Sequence, residues 1–100
     1  MAFIDNYDFE LLKNEAETLV IKEVGRQLES YSSPICKCNE CVVDMAAVAL
    51  NMVKPLYRVS LLGTMYTSHA MDEKEYAASV RNSVYSAIDK VRKNPSHEVG

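Results

Sequence analysis

Cys36, Cys38 and Cys41 are all the cysteines the chain has, and they fall within six residues. Their C-x-C-x-x-C spacing can bring three soft thiolate donors onto one metal ion, and zinc is the ion this donor type suits. A C-x-x-C step leading into a helix is a zinc half-site, and a helix N-terminus just beyond it favours negative sulfur. Three donors are one short of a closed tetrahedron. The fourth would come from His69, His97, Asp44, a nearby Glu, a water or a second subunit. Other readings stand beside zinc. A C-x-x-C pair can cycle as a disulfide, although the βαβ pattern of thioredoxin-like folds is absent. Iron–sulfur ligation ordinarily takes a fourth cysteine. Three thiols can also be buried without any metal. Lys37, between two of the sulfurs, would partly neutralise a thiolate site.

Little else in the chain has the makings of catalysis. There are two histidines, no H-E-x-x-H, no G-x-x-x-x-G-K, no G-x-G-x-x-G and no G-x-S-x-G. No general base accompanies the cysteines in sequence, so the chain reads as a non-enzyme. The net charge of −3 argues against non-specific binding along duplex DNA. The charge is uneven, however: residues 1–50 carry nine acids and four bases, residues 51–100 five acids and seven bases. The second half can therefore offer a local anion site. No apolar run is long enough to span a bilayer, and the acidic first ten residues do not resemble a signal peptide. Clustered cysteines without a signal fit a reducing cytoplasm.

The elements that must position these residues are helical. With 48% hydrophobic and 25% charged residues, one hundred residues make a single domain over 1–100, small enough for a metal or dimerisation to help it. Asp5, Asn6 and Asp8 predict a helix start. Helical periodicity then runs through Phe9, Leu12, Ala16, Leu19, Val20, Val24, Leu28 and Tyr31. Ile21 widens that arc beyond what one core contact needs, which points to a second buried surface such as a dimer seam. Glu17 and Glu23 lie in or beside the arc, either as boundary residues or paired with a base. Ser32-Ser33-Pro34 stops the helix. A second helix is predicted over residues 39–53, with Asn39 as N-cap and Pro55 beyond its end. It is apolar almost all the way round, so it belongs in the middle of the fold; only Asp44 and Asn51, on one face, interrupt it. Both need partners, within the fold or at a ligand. Leu56-Tyr57-Arg58-Val59-Ser60-Leu61 predicts one short strand, paired with its copy in a partner subunit. A loop follows at 63–69. A capping-box-like start at Asp72-Glu73-Lys74-Glu75 then opens a last helix with the apolar stripe Tyr76, Val80, Val84, Ala87, Ile88 and Val91. Lys74, Arg81, Tyr85 and Arg92 form a second stripe, either a solvated flank or an anion-binding face. Asn94-Pro95 ends the helix, and a mobile tail is expected at 96–100.

The run Cys36-Lys37-Cys38-x-x-Cys41-x-x-Asp44-x-x-Ala47-x-Ala49-Leu50-Asn51, followed by Pro55-x-Tyr57, resembles the late competence development protein ComFB family. Asn14, Glu17 and Val20 extend the resemblance into the first helix. The resemblance implies an all-α, homodimeric, zinc-containing, non-catalytic protein associated with late competence. Cys36, Cys38 and Cys41 would be the zinc ligands, pinning the interhelical loop. It also implies a receptor for the cyclic dinucleotides cyclic di-GMP and cyclic di-AMP, or alternatively a competence-linked module that docks a protein partner through the first helix. For a nucleotide, chemistry points to the bases Lys54, Arg58 and Arg81 for phosphate and Tyr57 for stacking, beside Asp44 and Asn51.

Overall fold

The cleanest amphipathic stripe in the sequence becomes the spine of the fold. Helix α3, Glu73–Lys93, buries Tyr76, Val80, Val84, Ala87, Ile88 and Val91, with Ser83 between them. Its first turn is acidic and its last turn basic, matching the helix dipole. Asn94 closes the helix by donating from Nδ2 to the Lys90 carbonyl. The computed structural model describes residues 2–58 and 73–95. The expected strand continuation at 59–61, the loop at 63–69, Asp72, His69, His97 and the tail at 96–100 lie outside the described residues.

Helix α1, Glu15–Glu29, and helix α2, Asn39–Leu50, are the other helices among the described residues, and each of these three packs on the other two. Helix α1 contributes Ala16, Val20, Val24 and Leu28, a strict four-residue step. Helix α2 contributes Cys41, Met45 and Ala49 at the same step. Full burial of side chains such as Met45, Ile88, Val20 and Val84 stabilises the fold by roughly 1.5–3 kcal/mol each. The expectation that α2 is enclosed on all sides needs correcting. Val43 is 58% exposed and Ala47 lies open, because two neighbouring helices cover only part of a cylinder.

The first helix begins later than its periodicity predicts. Residues Phe3–Asn6 and Phe9–Leu11 form two short 3-10 turns, and Asp8 caps the second by accepting the Glu10 N–H. Phe9 and Leu12 are exposed rather than part of the core stripe. The cause is Asn14, whose extended backbone ends any helix arriving from before it. Its Oδ1 accepts from the Ala16 N–H at 3.1 Å and from the Leu56 N–H at 2.8 Å. The Glu15 N–H donates to the Leu56 carbonyl at 2.8 Å. One side chain therefore caps α1 and ties it to the chain leaving α2.

That tie also corrects the strand pairing. Strand β2, Tyr57–Arg58, pairs antiparallel with strand β1, Lys13–Asn14, of the same chain, with Lys13 opposite Arg58 and Asn14 opposite Tyr57. A partner subunit is not needed to complete it. Helix α2 closes at Leu50 with Asn51 as C-cap, short of Pro55; the Met52 and Val53 N–H groups still donate to the Ala49 carbonyl in a final turn. Among the described residues no helix is long and apolar enough to cross a membrane.

Tyr76 anchors the far side of this turn by donating its hydroxyl to the Lys54 carbonyl at 2.6 Å. Its ring is buried, and burial pushes the phenol above its usual range, so the folded state holds the proton. Tyr76→Phe is expected to lower stability by about 1 kcal/mol in denaturant titration at pH 7. The raised value makes Tyr76's contribution complete below pH 10 and lost as pH rises beyond it, so the gap between wild type and variant should shrink only in the alkaline range. A gap that is constant through that range would show that Tyr76 is not held neutral.

Candidate functional site

The connection between α1 and α2 runs from the Ser30 C-cap to Cys38, and Pro34 keeps its middle extended. Cys36 and Cys38 lie on this loop and Cys41 in the first turn of α2. Their sulfurs all lie within 4.8 Å of one another. Sulfurs sharing a tetrahedral zinc stand about 3.8 Å apart, so the three need to close by only about 1 Å. Cys36 and Cys38 are exposed, whereas Cys41 is 1% exposed and belongs to the core.

The N-cap of α2 is Cys38 rather than Asn39. Its backbone is extended, its carbonyl accepts the Val42 N–H, and its Sγ accepts the Cys41 N–H at 3.4 Å. A sulfur replaces the usual capping oxygen, and this hydrogen bond strengthens as the sulfur gains negative charge. The donor set, its closeness and the helix N-terminus beneath it fit a soft metal ion. Among the described residues the cluster contains the three cysteines alone, with no histidine or carboxylate joining them. Asp44, one turn further along α2, is half-buried and outside the group.

The residues expected at a ligand take different places in the fold. Asn51 donates its side-chain N–H to the Ala47 carbonyl at 2.9 Å and serves its own helix end. Lys54 lends its carbonyl to Tyr76. Tyr57 is half exposed on β2, and Arg58 follows it in the ladder. Arg81 lines a cleft. This cleft, of about 600 Å³, lies between the end of α1 and α3. Arg26 and Tyr31 line it from one side and Arg81, Tyr85 and Arg92 from the other, so three of the four residues in the expected second stripe of α3 share it. Ser32 and Ser33, the start of the cysteine loop, close one end.

Three ion pairs brace the walls. Arg26 donates to both oxygens of Glu23, at 2.9 and 2.5 Å, and Gln27 donates to Glu23 at 2.7 Å. Hydrogen bonding from Arg26 holds the Glu23 carboxyl below its usual range, against the opposing effect of partial burial. Glu23 is thus paired with a base, while Glu17 is exposed. Gln27 also donates to the Arg81 carbonyl at 3.0 Å, joining the two helices across the cleft. On α3, Asp89 pairs with Arg92 at 2.7 Å and with Lys93 at 3.0 Å. Sequence reasoning passed over Arg26 and Gln27 and placed Tyr31 with the core. The available signal was their spacing at the polar end of α1, and it became meaningful only once α3 lay alongside.

Among the described residues, three helices, a two-residue β-ladder and a thiol cluster at an interhelical loop define a small helical domain with a candidate metal centre. The chain belongs to the late competence development protein ComFB family, whose profile matches residues 13–95. A solved structure of the late competence protein ComFB from Bacillus subtilis is similar, with a TM-score of 0.65 over 85% of this chain and 92% of that one. At 24% identity the two are distinct sequences that share a fold. No curated protein sequence is a significant match.

Purified protein is expected to carry about one equivalent of metal per chain by emission spectrometry, and Cys36→Ser and Cys38→Ser should each lose it. Both cysteines are exposed, so their replacement costs stability chiefly through the metal. A drop of about 10 °C or more in Tm is expected, from a loss of a few kcal/mol in a small domain. Metal-free protein, or serine variants as stable as wild type, would remove the metal from the fold.

Proposed function

We propose that this chain is a non-catalytic regulatory module of the cytoplasm, linked to late competence, in which zinc on Cys36, Cys38 and Cys41 holds the interhelical loop and a cyclic dinucleotide is the ligand. The observation that carries the structural half is the convergence of the three sulfurs at the start of α2. They fix where one helix begins relative to another, which is the work of a staple. The ligand half rests on the resemblance of the cysteine–Asp44–Asn51–Tyr57 pattern. Asp44, Asn51, Lys54, Tyr57, Arg58 and Arg81 are its polar candidates, with the bases suited to phosphate and the ring to stacking. Calorimetric titration with cyclic di-GMP and cyclic di-AMP is expected to give saturable binding to at least one of them. The absence of binding at tens of micromolar would sink the receptor reading.

A second reading has its own support. Leu19 is 41% and Ile21 60% exposed on α1, and the exposed rings of Phe3, Tyr7 and Phe9 cluster with centroids 4.8 to 6.3 Å apart. Such surfaces suit a homodimer seam or a protein partner docking on the first helix. Analytical ultracentrifugation separates these two: Ile21→Glu should convert a dimer to monomer if α1 is the seam. A variant that stays dimeric but fails to co-purify a partner would assign the surface to that partner instead.

A further inference from the structure

We infer that the cleft between the end of α1 and α3 is a binding site for the phosphate of a nucleotide, with Arg81 as its principal ligand and Arg26 and Arg92 flanking it. The inference rests on the receptor reading for the kind of ligand and adds to it a place and a charge pattern. Among the described residues, three guanidinium groups line the cleft and no carboxylate does. In a protein of net charge −3, this is a local concentration of positive charge, and such a concave patch gathers anions. The volume, about 600 Å³, lies within the range of small-molecule sites.

The three arginines are not equivalent. Glu23 holds Arg26 through Nε and Nη2, and Asp89 holds Arg92 through Nη2. A guanidinium has five N–H donors, so each keeps some for a further acceptor while its position is already fixed. Among the described residues, the Arg81 side chain makes no hydrogen bond or ion pair. Its charge helps, in a small way, to keep Glu23 ionised. Its backbone, by contrast, is fixed by the Gln27 donor to its carbonyl. An anchored backbone carrying an uncommitted guanidinium, between two held ones, is an arrangement ready for a phosphate. Tyr85, one turn beyond Arg81 and 68% exposed, and Tyr31 opposite offer rings against which a base can stack. The donors here are side chains at an open cleft, so binding should weaken with salt.

The experiment is calorimetric titration of the full chain at low and high salt. The ligands are cyclic di-GMP, cyclic di-AMP, 5′-GMP, 5′-AMP and inorganic pyrophosphate. The proteins are wild type, Arg81→Ala, Arg81→Lys and Tyr85→Ala. Arg81 is exposed, so thermal unfolding should show Arg81→Ala folded like wild type. Arg81→Ala is expected to weaken the best ligand about tenfold or more, the loss of a charge-assisted hydrogen bond. Arg81→Lys should restore part of it, and Tyr85→Ala should weaken nucleotides but not pyrophosphate. If a cyclic dinucleotide binds wild type and Arg81→Ala alike, the cleft assignment falls while the receptor reading stands. If mononucleotides bind through Arg81 and cyclic dinucleotides do not bind, the cleft stands and the receptor reading falls. Failure of every ligand to bind wild type overturns both.

Discussion

The constraint on which this structure depends is the handover from α1 to α2. Between Ser30 and Cys38 the chain makes no regular secondary structure, yet it must deliver α2 onto α1 and α3 in one register. Ordering each residue of such a segment costs on the order of 1–2 kcal/mol of backbone entropy. What opposes that cost sits at its far end. Cys38 caps α2 with its sulfur, Cys41 is sealed in the core, and Cys36 lies within reach of both. The buried member gives the cluster a fixed foundation, and the two exposed members leave it accessible from solvent. A metal there would act on the part of the fold with the fewest other restraints.

The other end of the helix pair is held by chemistry of a different kind. Asn14 receives two N–H groups forty residues apart in the chain, one from its own helix and one from Leu56. Its hydrogen bonds and the β-ladder beside it fix where α1 begins and where the chain goes after α2. Sulfur chemistry at one end and an amide clamp at the other therefore determine how α1 and α2 lie together. The side chains these helices bury include the small Ala16 and Ala49 and the short Val20 and Val24, which leave little bulk to lock a register alone.

This division explains what could be read from the sequence. The stripes Ala16–Val20–Val24–Leu28 and Tyr76–Val80–Val84–Ala87–Ile88–Val91 were legible because burial along a helix repeats at a short interval. The cysteine cluster was legible because its ligands are neighbours in sequence. The start of α1 was not, since Phe9 and Leu12 continue the right spacing while the residue that ends the pattern, Asn14, takes its meaning from Leu56. For the same reason β1 went unseen and β2 was assigned to a partner subunit. The near-uniform apolar character of α2 predicted enclosure, but the described residues cover only one side of it, and the exposed Val43 marks the remainder. The cleft was half legible: the Arg81–Tyr85–Arg92 stripe is local, whereas Arg26 comes from α1 and Tyr31 from the connection just after it, far earlier in the chain.

The two candidate sites share the same stretch of chain. Ser32 and Ser33 line the cleft, and Pro34 and Ile35 are all that separate them from Cys36. Ile35 packs against the core, so a shift of the cysteines would reach the serines through a residue that has little room to absorb it. Tyr31, at the other end of this stretch, both packs on the core and lines the cleft. A metal at the cysteines and an anion in the cleft would therefore each restrict the same loop. Ordering it once lowers the entropic cost of the second event, which makes the two favour one another without any large movement. The short loop that the sequence singles out for its cysteines is, on this physical ground, also the wall through which a ligand would be sensed.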